Sequence, residues 1–224
     1  MIIAIDGPAG SGKSTIAREV ARRYGFEKLD TGALYRAVAV VCADEGIDLG
    51  DLEAVARRAG ELEFAFEATG EAARIAADGR DLSHEIRTPR ADRIVTAAAT
   101  NPGVRRALLP AQRAFATGRD VVAEGRDIGT VVFPEAELKV FLTADPRVRA
   151  QRRVAQRHER DEVSPAPEEL RREEEETLAG IERRDAADAA NTVPAPDAVH
   201  IDSTAHAIDE IVETIGGLIA GRRA

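Results

Sequence analysis

Residues 7–14 read Gly7-Pro8-Ala9-Gly10-Ser11-Gly12-Lys13-Ser14, a complete G-x-x-x-x-G-K-[ST] phosphate-binding loop. The apolar run at 1–5 before it predicts a buried strand. Residues 14–24 after it carry Ile16, Ala17, Val20 and Ala21 at helical spacing. Strand, loop and helix in register distinguish such a loop from a Gly-rich turn. The glycines free the backbone to aim its N–H groups at phosphate oxygens. The helix N-terminus adds a favourable dipole. The expected nucleotide contacts are Gly7, Pro8, Ala9, Gly10, Ser11, Gly12, Lys13, Ser14 and Thr15. Lys13 is expected to reach the β- and γ-phosphates, and Ser14 to offer its hydroxyl to Mg²⁺.

Further along, short apolar runs alternate with helical stretches. Residues 26–29, 120–123, 138–142 and 198–201 predict strands. Helices are expected over 33–45 with Gly46 as the stop, over 51–60, and over 84–118 with a break at Asn101-Pro102-Gly103. Asp145-Pro146 reads as a cap before another helix, 168–190 as a strongly charged helix and 204–221 as an amphipathic one. The period changes at one place. Leu62, Phe64 and Phe66 alternate with Glu63, Ala65 and Glu67, and Thr69-Gly70 and Asp78-Gly79 are turn signals, so 62–82 predicts a small antiparallel unit.

The expected fold is therefore α/β. It is a mainly parallel P-loop NTPase sheet flanked by helices, with a small antiparallel insert and a helical lid. The expected division is a single domain over 1–224: core 1–60, 84–145 and 192–224, insert 61–83, and lid region 146–191.

The 224 residues suit one such domain, and an apolar content of 44% can supply its core. With 4% aromatics and no Trp, that core falls to Ala, Val, Leu and Ile. A net charge of −9 argues against nucleic-acid binding, which needs a basic face, but allows a small anion in a local basic pocket. The lone Cys42 excludes an intrachain disulfide and fits a reducing cytoplasm. No signal-peptide pattern opens the sequence, and no apolar run is long enough for a bilayer. A cytoplasmic protein is expected, most simply a monomer, with no membrane or nucleic-acid partner.

In open parallel sheets, ligands sit beyond the carboxyl ends of the strands. The phosphate loop, Asp30-Thr31-Gly32 and Glu124-Gly125-Arg126-Asp127 each follow a predicted strand and should line one crevice. Phosphoryl transfer asks the protein to clamp phosphates and neutralise their charge. Glu124 stands where a metal-side acid belongs, so Ser14 and Glu124 are the expected Mg²⁺ pair. Asp6 is either a second such acid or a structural carboxylate for loop amides. Arg36 and Arg126 sit beside the crevice loops, and a planar guanidinium suits phosphate. Arg184 and Asp188 share a helix face: either a surface ion pair, or part of a lid closing over the transferring phosphate. Lys13, Arg36, Arg126 and Arg184 are thus the expected catalytic cations. The histidines at 84, 158, 200 and 206 show no metal-ligand spacing.

Taken together, several stretches resemble the bacterial cytidylate kinases. They are 5–14, 29–36 (L-D-T-G-A-L-Y-R), 85–88 (E-I-R-T), 124–134 (E-G-R-D-I-G-T-V-V-F-P), and Arg183-Arg184-Asp185 with Asp188. The resemblance runs from residue 2 to about 204. It implies a P-loop nucleoside monophosphate kinase that passes the ATP γ-phosphoryl group to CMP or dCMP. By position, it implies that Thr31, Tyr35, Arg36 and Arg126 line the monophosphate site, and that Thr96, Arg105 and Asp127 read cytosine. Arg184 and Asp188 would contact sugar and phosphate from the lid, and the 62–82 insert would belong to the monophosphate-binding region. A carboxylate at 127 would accept from the exocyclic amine of cytosine and disfavour uracil. One position departs from the family: Asn191 stands where an arginine is usual, so either a neighbouring arginine substitutes or one phosphate contact is missing. The alternatives are a P-loop kinase for another small acceptor (UMP, dTMP, shikimate) and a nucleotide-binding switch protein. A guanine-binding switch would carry N-K-x-D, which this sequence lacks.

Overall fold

Five strands form one parallel sheet: β1 (Ile2–Asp6), β2 (Glu27–Asp30), β6 (Val121–Gly125), β7 (Leu138–Thr143) and β8 (Val199–Asp202). Their order is β2-β6-β1-β7-β8 in the computed structural model, which describes residues 1–67, 74–161 and 165–223. β1 is central, with Ile3 level with Val122 on one side and Leu138 on the other. Its neighbours are buried almost throughout, as strands covered on both faces must be.

Two helical layers cover the sheet. Ile16 and Val20 of α1 (Lys13–Tyr24) and Val212 and Ile215 of α8 (Ile208–Arg223) bury one face with Ile3, Ile5 and Val140. On the other face Ala4, Leu29 and Ala123 pack with Phe115 of α5 (Pro102–Phe115) and with Ile128 and Val132. The last two belong to a π-helical turn, Ile128–Val132, that the sequence pattern did not foretell.

A third apolar cluster joins α2 (Thr31–Asp44), α3 (Leu52–Glu61), α4 (Pro89–Ala99) and α5. The antiparallel unit packs on this layer through Ile75, Ala77 and Leu82, and comprises β3 (Phe64–Glu67), β4 (Arg74–Ala77) and β5 (Arg80–Asp81) in that order. The Asp78-Gly79 turn forms as expected, both residues taking positive φ (50° and 76°). The Thr69-Gly70 turn lies outside the described residues. After β7, α6 (Pro146–Asp161) packs beside α7 (Pro167–Asp188), with Arg157 donating to the Thr177 hydroxyl and His158 meeting Glu173.

Side-chain caps set most helix starts. Asp51, Thr88, Asn101 and Asp145 each accept from backbone N–H groups of the following turn. Asp30 does the same for Ala33 N at 3.1 Å, so Thr31 and Gly32 enter the first turn and α2 begins before Ala33. The last helix begins later than residue 204, because Thr204 turns its amide and hydroxyl back onto Asp202. Among the described residues, no helix is long and apolar enough to cross a membrane.

Candidate active site

A cavity of about 740 Å³ opens beyond the carboxyl ends of β1, β2 and β6. The phosphate loop, the Asp30–Gly32 corner and the Glu124–Asp127 corner all meet there, as their strand ends require. Lys13 and seven arginines face Asp30, Asp92, Glu124, Asp127, Glu159 and Asp188, so the cavity is cationic within an acidic chain. Such a pocket selects small anions.

The loop is tight. Gly7 has φ 146°, and a Cβ there would lie 2.0 Å from the Leu142 carbonyl oxygen, so only glycine fits. Lys13 is buried and folds back to donate to the Pro8 carbonyl at 2.6 Å. Burial, with Arg126 nearby, pulls its pKa down to about 7. Asp6 bonds the π turn and not the phosphate loop: its two carboxylate oxygens accept from Ile128 N and Gly129 N, each at 2.7 Å. Burial raises its pKa to about 6 against those two bonds.

Each arginine expected on phosphate already meets a carboxylate. Arg36 donates to Asp30 at 2.9 Å, Arg126 to Asp188 at 3.2 Å, and Arg184 lies 3.9 Å from the same Asp188. Asp188 thereby ties α7 to the corner after β6. Thr31 donates to the Glu124 carbonyl at 2.8 Å, joining the Asp30–Gly32 corner to the one after β6. Arg105 binds Asp127, donates to the Ala99 carbonyl at 2.9 Å, and lies 5.5 Å over the Tyr35 ring. These contacts gather Thr31, Tyr35, Arg36, Arg105, Arg126, Asp127, Arg184 and Asp188 on one wall.

Three expected residues do not line the cavity: Gly7 and Pro8, at the start of the loop, and Thr96, on α4 between Val95 and Ala99, which do. Asn191 lines it too, with Arg152 and Arg153 of α6 as further cations on the wall. Arg153 is engaged with Asp92 of α4 at 2.8 Å.

Ser14 and Glu124 present hard oxygens to the cavity, a donor set that fits Mg²⁺ carried in with a polyphosphate. A third group sits with them. The Lys28 ammonium donates to the Ser14 hydroxyl at 2.6 Å and lies 3.4 Å from Glu124 Oε1.

Sequence reasoning missed the brace provided by α6. Arg149, almost wholly buried, donates to the Ala9 carbonyl of the loop at 2.9 Å and to Asp185 of α7 at 2.6 Å. Arg152 donates to Ser203, whose hydroxyl donates to the Ser11 carbonyl at 3.0 Å. Arg149, Arg152 and Arg153 are spaced i, i+3 and i+4, which puts them on one helix face. That spacing was the available signal.

The cytidylate kinase family model matches residues 3–220 of the chain. Cytidylate kinase from Saccharophagus degradans is 42% identical over 227 residues, covering 100% of this chain and 98% of that one. Cytidylate kinase from Pelotomaculum thermopropionicum is also 42% identical, covering 99% and 97%. Among solved structures, shikimate kinase from Bacteroides thetaiotaomicron superposes with a TM-score of 0.50 at 16% identity, covering 98% of each chain. This last likeness is one of fold.

Proposed function

The chain belongs to the cytidylate kinase family, and on that premise we propose that it transfers the γ-phosphoryl group of ATP to CMP or dCMP, giving ADP and CDP or dCDP. The observation that carries this reading is the Arg105–Asp127 pair, which shares one cavity with the phosphate loop. An acceptor carboxylate held by an arginine suits a base that offers an exocyclic amine.

The loop amides from Gly10 to Thr15 bind the ATP phosphates at the N-terminus of α1. Lys13 leaves the Pro8 carbonyl for the β- and γ-phosphates, whose charge offsets the burial that depresses its pKa. Mg²⁺ entering with ATP would be held by Ser14 and Glu124, and would neutralise charge on the phosphoryl oxygens. Arg36 and Arg126, with their forks aligned by Asp30 and Asp188, bind the acceptor phosphate. The nucleophile is an ionised phosphate oxygen of CMP. It brings its own negative charge and needs no general base. It forms the new P–O bond in line as the bond to ADP breaks. Arg184 closes from α7 on the charge that develops.

The base reading rests on Arg105 and Asp127, which line the cavity, together with Thr96 on α4, between the lining residues Val95 and Ala99. Residues 61–83 serve the acceptor side and 146–191 act as the lid of a single-domain enzyme. The same reading makes it a cytoplasmic monomer acting on soluble nucleotides.

The test is ADP formation from ATP and Mg²⁺ with CMP, dCMP, UMP, AMP, GMP and dTMP offered separately. Fast turnover confined to CMP and dCMP is expected. Preference for another monophosphate would overturn the base assignment and keep the kinase. ATP binding with no acceptor-dependent turnover would overturn the reaction.

A further inference from the structure

Lys28 has no part in the chemistry above, yet it sits on the two groups assigned to the metal. It lies on β2, two residues before Asp30, and a fifth of its side chain is exposed. Its ammonium donates to the Ser14 hydroxyl at 2.6 Å and lies 3.4 Å from Glu124 Oε1. The Glu124 side chain is only 9% exposed, so its carboxylate needs a counter-charge when no nucleotide is bound. An ammonium and Mg²⁺ compete for the same kind of hard oxygen, and one set of lone pairs cannot serve both.

We propose that Lys28 is a resident cation of the metal subsite. It holds Ser14 and Glu124 while the site is empty of nucleotide, and is displaced when Mg²⁺ arrives with its nucleotide. This inference rests on the Ser14–Glu124 assignment above. A compact charge on a flexible four-carbon stem is suited to such an exchange, whereas a planar guanidinium would bind the carboxylate more rigidly. The lysine therefore works against the metal. Removing it should tighten metal binding, the opposite of what a residue that orders a metal site would do.

The experiment follows Mn²⁺ binding to the protein·ADP complex through loss of the free-Mn²⁺ electron paramagnetic resonance signal. Thermal unfolding confirms that each variant is folded. Lys28→Met is expected to bind Mn²⁺ about 2- to 5-fold more tightly, the size of one partly exposed ion pair. Lys28→Gln should move in the same direction, which covers the case in which the methionine variant fails to fold. In a Glu124→Gln background, assayed at higher Mn²⁺, the effect of Lys28→Met should shrink towards none, because the contact through which the lysine competes is gone. Unchanged or weaker Mn²⁺ binding in the single variants would overturn the proposal. So would an undiminished effect in the Glu124→Gln background, which would indicate a general field rather than a shared site. If wild-type protein·ADP takes up no Mn²⁺, the metal assignment fails and this inference with it. If Mn²⁺ tightens as expected but CMP is not phosphorylated, the functional reading fails and this inference stands.

Discussion

Asp127→Asn separates reading of the base from binding of the phosphates. Asp127 is nearly buried and holds Arg105, which is also fixed by the Ala99 carbonyl at 2.9 Å and by the Tyr35 ring at 5.5 Å. An asparagine keeps an acceptor oxygen for Arg105 and loses only the charge. The fold should survive at a cost of about 1 kcal/mol, the difference between a charged and a neutral acceptor. The exocyclic amine of cytosine then meets a neutral group, which should remove about 1–3 kcal/mol of discrimination, or roughly 5- to 150-fold in kcat/KM for CMP. UMP should lose nothing and gain slightly, since the amide N–H can donate to the uracil carbonyl. The assay is kcat/KM for both acceptors at saturating ATP, with the KM for ATP as the control. That KM should stay within about twofold, because the phosphate loop is untouched. An unchanged CMP/UMP ratio in a folded variant would mean that the base is read elsewhere. An equal loss on both acceptors would mean that Asp127 supports the architecture of the site and does not select the base.

Two further predictions concern the frame of the site. Asp6 has its pKa raised to about 6, so the stability it contributes is full below pH 3.8 and is lost as pH rises through 6. Relative to wild type, Asp6→Asn should therefore gain about 2 kcal/mol in unfolding free energy between pH 4 and pH 7; a pH-independent difference in urea titrations would show that the carboxyl is not perturbed. A Cβ on Gly125 would lie 2.6 Å from Thr31 Oγ1 and 2.7 Å from Ile128 Cδ1, and Thr31 cannot turn aside without leaving the Glu124 carbonyl. Gly125→Ala should cost about 1–3 kcal/mol by denaturant unfolding, and a loss below about 0.5 kcal/mol would show that the corner gives way freely.

Local signals carried far in this chain. The apolar runs, the Gly-rich loop and the capping residues are each written within about ten consecutive positions, and they suffice for the parallel sheet and for which loops share its carboxyl edge. The 62–66 alternation likewise announces the antiparallel unit. Where these signals ended, boundaries shifted. A single cap at Asp30 drew two more residues into α2, and the π turn at 128–132 depends on Asp6, more than a hundred positions away. The site divides in the same way. That Arg36, Arg105, Arg126 and Asp127 reach the crevice follows from the elements that carry them. The charge each meets there does not. Arg126 finds Asp188 across 62 positions, Lys28 finds Glu124 from a neighbouring strand, and Arg149 joins the Ala9 carbonyl to Asp185 from a helix that sequence reading assigned only to the lid region. Such pairings are set by strand order and by where α6 and α7 cross the sheet edge, so no window of sequence contains them. Their effect is to keep a cationic phosphate site balanced before its anions arrive. On the proposed reading, each phosphate meets arginines whose forks Asp30 and Asp188 already align, and Mg²⁺ displaces the Lys28 ammonium. Binding becomes an exchange of partners at fixed positions rather than the assembly of a site, and the cations keep the geometry that in-line transfer needs.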